Sequence, residues 1–426
     1  MSIFFGCVAD DFTGASDGAS FLVKAGVSTI LVNGIPEDDM PEISSEAVVI
    51  ALKSRTQNTE EAVADCIKAF QWLIKKGAKV LYFKYCSTFD STDDGNIGPV
   101  IDAVLEKFNY PYTVLCPSLP VNGRTVKNGK LYVYGKLLEE SSMKDHPITP
   151  MRHSRLSDLM KKQGKYRCLE TSLPVTEEFF VDIKKEIDLS GHCYLVPDYE
   201  NDKQGAEIVN TFPEIGFYTG GSGLMEHLAK KYVMDNGERE KSKIFFKSPG
   251  KACILAGSCS EATLSQIEYF QKAGLPTYKI LPEKIIKEEL NSEQIWKEAA
   301  ESAGNIIFIY SSASVQERRK NQHYGKKRIS QILEKVMADL AKIALDNGIQ
   351  KIIVAGGETS GAVIKALKYQ AYWIGESVAP GVPVMTPIEF PEVRLVLKSG
   401  NFGKQDFFIK AIKTIDVHET KRKEAQ

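Results

Sequence analysis

Short runs rich in β-branched and aromatic residues alternate with helix-patterned segments along most of this chain, and that rhythm limits the fold more than any other feature. In the first half, residues 3–9, 28–33, 47–53, 80–86 and 112–117 read as strands. The clearest intervening helix opens at Asn58-Thr59-Glu60-Glu61, where a cap and early acids precede Val63, Cys66, Ile67, Phe70 and Ile74 at helical spacing. Strands separated by helices pair mostly in parallel. The second half repeats the pattern, with strands expected at 252–257, 305–311 and 351–355 and helices at 261–273 and 326–346. In the latter helix Ile329, Ile332, Leu333, Val336, Leu340 and Ile343 form one apolar, core-facing stripe.

Between residues 129 and 188 the alternation blurs around Asp145-His146-Pro147-Ile148-Thr149-Pro150, and no element is assigned there. Strands at 193–198 and before Gly220-Gly221-Ser222-Gly223 restore it. The charged, glycine-punctuated stretch Asn236-Gly237-Glu238-Arg239-Glu240-Lys241-Ser242-Lys243 reads as a linker. The expected fold is therefore α/β, with domains at 1–235 and 251–426 joined by a linker at 236–250, mostly parallel sheets and an inter-domain cleft.

A chain of 426 residues exceeds one ordinary core, and its 43% hydrophobic content can fill two. The 54 basic and 55 acidic residues nearly cancel, leaving no net field to draw nucleic acid or an anionic membrane. Small-molecule partners are expected instead. The cysteines show no metal-like spacing and read as reduced, buried residues. The N-terminus lacks a basic region, and no uncharged stretch approaches the ~20 apolar residues of a membrane span. A cytoplasmic protein follows, with a homodimer left open.

Three strand-like runs of the second half end in small residues: Gly257-Ser258-Cys259-Ser260, Gly356-Gly357-Glu358-Thr359-Ser360-Gly361 and Ser399-Gly400-Asn401-Phe402-Gly403. In a parallel sheet all three lie at one edge, where helix N-termini offer N–H groups and partial positive charge to phosphate. Neither a Walker A loop nor a GxGxxG fingerprint is present. Alternatives stand for individual residues: N-capping for Ser258 and Thr359, helix–strand packing for Gly361.

The first strand ends in Asp10-Asp11, followed by Phe12-Thr13-Gly14. Buried paired carboxylates are costly unless cations neutralise them or chemistry uses them. The next strand ends carry Arg55, Lys84 with Asp90 and Ser91, and Gly123-Arg124. Such a cleft suits a small polyhydroxy acid, cations taking the carboxylate and aspartates the hydroxyls. Asp11 reads equally as the cap of the following helix.

The segments "ADDFTGASD" (9–17), "ALKSRT" (51–56), "YFKYCSTFDSTDDGNIGPV" (82–100) and "CPSLPVNGRTV" (116–126) resemble the substrate domain of the four-carbon acid sugar kinases, and "AGGETSGAV" (355–363) and "SGNFG" (399–403) resemble its nucleotide domain. Within that family "ALKSRT" and "KYCSTFDST" are similar to the 3-oxo-tetronate branch rather than to the threonate or erythronate kinases. The resemblance implies ATP- and Mg²⁺-dependent phosphorylation of the 4-hydroxyl of a 3-oxo-tetronate. It implies nucleotide contacts at Ser258, at Gly357, Glu358, Thr359, Ser360, Gly361, Ala362 and Val363, and at Gly400, Asn401 and Gly403. Asp10 and Asp11 become the candidate catalytic pair, and Arg55, Lys84, Asp90, Ser91, Gly123 and Arg124 the candidate substrate contacts; no metal ligand is assigned. The alternatives are a kinase of D-threonate or erythronate and a two-domain sugar-acid-binding protein without catalysis.

Overall fold

The computed structural model describes residues 3–37, 44–146, 149–212, 215–237, 250–320 and 324–416. The chain forms two compact units, Met1–Lys241 and Ser242–Gln426. Most of the expected linker, residues 238–249, lies outside the described residues.

The first unit carries strands β1 (Phe5–Ala9), β2 (Thr29–Asn33), β3 (Ala47–Ala51), β4 (Val80–Lys84) and β5 (Tyr112–Cys116). It continues through β6 (Arg124–Lys127), β7 (Lys130–Val133) and β8 (Lys136–Leu137) to β9 (Arg167–Thr171), β10 (Cys193–Pro197) and β11 (Phe217–Gly220). The main sheet of this unit runs β2-β3-β1-β4-β11-β5-β10-β9, each neighbouring pair parallel. Strands β1, β3 and β10 are buried at every position, as in a sheet covered on both faces. Strand β11 is buried throughout between β4 and β5, with Thr113 Oγ1 donating to Phe217 O at 2.9 Å and Thr219 Oγ1 to Val114 O at 3.0 Å.

Asn58 caps the helix Thr59–Lys75 by accepting from Glu61 N. Its buried face, however, is Ala62, Cys66, Ala69, Phe70 and Leu73, rotated from the expected stripe so that Ile74 is 39% exposed. Gly6 of β1 leaves room for Leu73 of this face, whose Cβ would stand 3.1 Å from a Cβ added there. The unassigned region supplies β7 and β8 of a small antiparallel sheet, β6-β7-β8, whose first strand precedes it, then a short helix Leu156–Met160, edge strand β9 and the helix Glu177–Ser190. Its β6–β7 turn is Asn128-Gly129, both at positive φ, the conformation two-residue hairpins favour.

The second unit contains β12 (Ala252–Ala256), β13 (Tyr278–Lys279), β14 (Ile306–Tyr310), β15 (Lys351–Ala355), β16 (Ala371–Ala379), β17 (Val382–Pro387) and β18 (Arg394–Lys398). Strands β13-β14-β12-β15-β18 are parallel; β17 and β16 add an antiparallel hairpin that the sequence pattern did not suggest. The core joins Ile254, Phe270, Phe308, Ile353, Val396, Phe407 and Phe408. The helix Lys326–Asp346 buries Val336, Leu340 and Ile343, while Ile329, Ile332 and Leu333 are only half-buried. Among the described residues no helix is long and apolar enough to cross a membrane.

Both main sheets contain a topological switch. From β1 the chain moves to β2 and β3 on one side, and β4 pairs on the other side of β1; from β12 it moves to β13 and β14, and β15 pairs on the other side. Crevices outside the carboxyl ends of the strands at such points are the usual ligand sites of open α/β sheets.

Candidate active site

At the first switch the strand ends are laced together: Asp10 N donates to Lys84 O at 3.0 Å and Leu52 N to Ala9 O at 2.9 Å. Asp11 adopts extended backbone and its Oδ1 accepts from Gly14 N at 2.7 Å, capping the helix Phe12–Lys24. A Cβ on Gly14 would stand 2.4 Å from that oxygen, so the cap needs glycine there. The other carboxylate does different work. Asp10, 3% exposed, receives Arg55 in a two-point clasp, Nε on Oδ2 and Nη2 on Oδ1, both at 2.8 Å. Arg55 Nη1 also reaches Asp11 Oδ2 at 3.0 Å. Burial pushes the Asp10 carboxyl upward while Arg55 pulls against it. Arg55 itself, against the pull of burial, is held well above its ordinary value by Asp10 and Asp11.

A small cavity here is lined by Asp10, Ser54, Arg55, Phe83, Asp90, Ser91, Asn96 and Ile97. Four of the residues expected from sequence therefore meet: Asp10, Arg55, Asp90 and Ser91. Phe89 and Asp90 follow one another at φ 67° and 45°, left-handed conformations that bulky residues adopt only where surrounding structure enforces them. Phe89 is fully buried against Tyr85, and Thr88 Oγ1 donates to Asp90 Oδ1 at 2.8 Å, so packing fixes this turn and aims the carboxylate. Ser91 donates to Gln163 Oε1 at 3.0 Å. Ser54 and Asn96 were not anticipated, although both lie inside the quoted segments; Asn96 Nδ2 donates to Ser54 O at 2.6 Å and ties the two loops.

Lys84 does not line this cavity. Its buried Nζ lies 3.5 Å from Asp17 Oδ2, which also accepts from Ser222 at 2.7 Å, and it donates to Tyr85 O. Gly123 and Arg124 lie past β5 on the same sheet edge, outside the cavity lining. Gly123 closes a short 3₁₀ turn at φ 71°. The Arg124 guanidinium rests 5.0 Å from the centre of the Tyr134 ring and donates to Asn122 O, while its buried Nε has no hydrogen-bond partner among the described residues.

At the second switch the three glycine turns converge. Gly257 N and Ser258 N donate to Ala355 O, and Gly356 N donates to Lys398 O at 2.9 Å. Gly356, at φ 128°, caps the helix Gly357–Leu367 without any side-chain hydrogen bond, leaving its first N–H groups open to a ligand. A Cβ on Gly357 or Gly361 would meet nothing within 4 Å, whereas one on Gly257 would strike Thr359 Oγ1 at 2.1 Å and one on Gly400 would strike Ser258 Oγ at 2.3 Å. Gly357 and Gly361 thus border open space; Gly257 and Gly400 are required by the packing of the turns themselves. The alternative of close packing at Gly361 finds no neighbour to support it. Glu358 and Asn401 are exposed, Ala362 is half-buried, and Thr359, Ser360 and Val363 are buried, so Val363 offers a ligand only its backbone. Gly403 at φ 83° sits against Phe407.

The third turn is fixed from below. Ser260 Oγ and Thr263 Oγ1 donate to Gly400 O at 2.7 and 2.9 Å, and Gln266 Nε2 donates to Phe402 O and Gly403 O at 3.0 Å. Ser260, not Ser258, caps the helix Glu261–Lys272. Open glycines beside an uncapped helix N-terminus fit the phosphates of a nucleotide. Among the described residues no group of three or more His, Cys, Asp or Glu is arranged to hold a metal ion.

Two family models match in sequence: a sugar-binding N-terminal domain over residues 5–228 and a nucleotide-binding C-terminal domain over residues 253–408. The chain is 39% identical over 413 residues to a 3-oxo-tetronate kinase of Haemophilus influenzae, covering 95% of this chain and 98% of the relative. It is 38% identical over 430 residues to the 3-oxo-tetronate kinase of Salmonella typhimurium, covering 97% and 99%. Among solved structures it resembles a Salmonella typhimurium LT2 protein, with a TM-score of 0.85, 37% identity and coverage of 96% and 99%. It also resembles Haemophilus influenzae protein HI1011, with a TM-score of 0.78, 38% identity and coverage of 96% and 100%.

Proposed function

Because the chain belongs to the four-carbon acid sugar kinase family, we propose that it transfers the γ-phosphoryl group of ATP to the 4-hydroxyl of a 3-oxo-tetronate, giving 3-oxo-tetronate 4-phosphate and ADP. The observation that carries this reading is likeness along nearly the whole chain to kinases of that name. The two switch-point sites support it, since one offers carboxylates and hydroxyls and the other open glycines at a helix N-terminus.

Phosphoryl transfer asks the protein chiefly to position the acceptor and to take its proton. Asp10 and Asp11 are the candidate pair, with different duties in this reading. Asp11 is committed to its helix cap. Asp10, whose carboxyl burial pushes upward while Arg55 pulls against it, faces the cavity and takes the hydroxyl proton. Arg55 orients Asp10. Asp90 and Ser91 bind substrate hydroxyls, and Arg124, further along the edge, takes the carboxylate. Lys84 acts indirectly by neutralising Asp17. Mg²⁺, where bound, would be held chiefly by the ATP phosphates rather than by a dedicated protein cage, and would neutralise their charge. A cytoplasmic homodimer completes the proposal.

A coupled ADP-release assay across four-carbon acids tests it. The expected result is fastest turnover with a 3-oxo-tetronate; preference for D-threonate or erythronate replaces the substrate but keeps the kinase. Thermal stabilisation by Mg-ATP alone separates either kinase from a sugar-acid-binding protein, which shows none.

A further inference from the structure

Beneath the third glycine turn lies a cation that none of the foregoing roles uses. Lys398 ends β18 and is 0% exposed. Its Nζ donates to Thr263 Oγ1 and Gly400 O, both at 2.9 Å, and to Ser399 O at 3.2 Å. All three hydrogen-bond partners are neutral oxygens, and the one further contact of the amine is the face of the Phe407 ring, its centre 5.6 Å away, which carries no net charge. Burial alone lowers the amine to about 7, and none of Glu261, Glu358, Lys404 or Asp406, the charged residues of the adjoining turn and helix starts, acts on it as a counter-charge. Buried lysines normally pair with a carboxylate, because an isolated ammonium is costly away from water.

Holding the turn does not require the charge. Gly400 O retains two hydroxyl donors, Ser260 and Thr263, and Gln266 holds Phe402 O and Gly403 O. What Lys398 alone contributes at this edge is a positive charge, beneath a turn whose Gly400 lies against Ser258 and at the end of a strand whose carbonyl, Lys398 O, accepts from Gly356 N at 2.9 Å, the residue just before the open Gly357.

We propose that Lys398 is the charge partner of the nucleotide polyphosphate, acting through the Ser399–Gly403 turn as a positioning residue for ATP. This rests on the nucleotide reading of the second unit. Phosphate binding supplies the missing counter-charge and favours the protonated amine, so ATP binds most tightly where Lys398 carries its proton.

The test compares the full-length protein with Lys398→Met, which keeps the length of the stem and removes the charge, measuring KM for ATP and for the sugar acid and the melting temperature. The expected result is a KM for ATP raised about tenfold or more, the scale of losing one charged hydrogen-bonding partner, with the KM for the acid unchanged. The melting temperature should be equal or higher, because an unpaired buried charge is gone. A merely structural lysine would instead lower the melting temperature and leave both constants unchanged, which overturns the proposal. On the unaltered protein, KM for ATP should climb as pH rises above about 7 while KM for the acid stays level; a level ATP profile overturns the proposal even if the variant does not fold. Failure of the unaltered protein to saturate with Mg-ATP overturns the nucleotide reading and the proposal together, whereas normal saturation with an unchanged KM in Lys398→Met overturns the proposal alone.

Discussion

The two units place their candidate sites at equivalent switch points, yet balance charge in opposite ways. At the first site the buried charges are paired: Asp10 and Asp11 share Arg55, and Asp17 meets Lys84 and Ser222. In the second, Lys398 is buried among neutral oxygens. In the proposed function the difference matches what each site would hold. A polyhydroxy acceptor is oriented by rigid, already neutralised groups, while a polyanion is attracted by charge left without a partner. The same sheet topology therefore says where a ligand binds, and the pairing of charges says which kind.

Mutations can break this comparison, beginning with the largest effect. Asp10→Asn should lower turnover by about 10²–10⁴, the range for losing a general base, whereas Asp11→Asn should leave turnover near normal because asparagine caps helices well. Equal, mild effects in steady-state assays would make both aspartates structural and leave Asp90 to take the proton. Arg55→Met, which strands two carboxylates, should reduce unfolding free energy by about 3–5 kcal/mol in urea titrations; a loss below about 1 kcal/mol would mean that the cluster is not tightly paired. In the second unit, Gly257→Ala should cost about 1–3 kcal/mol, since its new Cβ meets Thr359. Gly357→Val should fold normally and raise KM for ATP far more than KM for the acid. Similar stability losses at the two glycines would remove the distinction between packed and open turns.

The last prediction sharpens the contrast through pH, its effect spread gradually over several pH units. The Lys398 amine sits near 7 in the folded protein, against an ordinary value of 10.5. The unfolded chain thus binds more protons between those values, so this group's contribution to stability is least below about pH 7 and improves as pH rises toward 10.5. The unfolding free energy of the unaltered protein minus that of Lys398→Met should therefore rise across that window, by up to about 1.4 kcal/mol per pH unit. A flat difference would show that the lysine is better solvated than its burial suggests.

Much of this was legible in the sequence where local pattern and tertiary burial agree. The expected strand at 351–355 is β15 residue for residue, and the three glycine turns meet because β12, β15 and β18 are neighbours. Turn chemistry was present but unread in two places. Asn128-Gly129 is a strong hairpin signal inside the region left unassigned, and Pro380-Gly381 joins β16 to β17, hidden by the lack of strict alternation in a buried, bulged strand. Other features have no local signature. The inward turn of Lys84 toward Asp17, the bridge from Asn96 to Ser54 and the isolation of Lys398 each depend on which distant oxygen lies opposite. Sequence placed these residues near strand ends but could not tell a cation facing a ligand from one facing its own core.

The position of β11 bears on how the first unit comes to exist at all. Residues 5–84 hold one flank of its main sheet and residues 112–197 the other, and neither touches the other in register until Phe217–Gly220 slides between β4 and β5. During synthesis, two half-sheets must wait with long, apolar, unpaired edges for a four-residue strand made near the end of the unit. Assembly should therefore be late and all-or-none rather than gradual, and slow, as parallel pairing across large sequence separations is. A chain ending at residue 212 should populate aggregates on release rather than a smaller folded sheet, and adding residues 213–237 should restore a single cooperative unfolding transition. A stable, monomeric 1–212 fragment in sedimentation and denaturant titration would show that the two flanks fold independently.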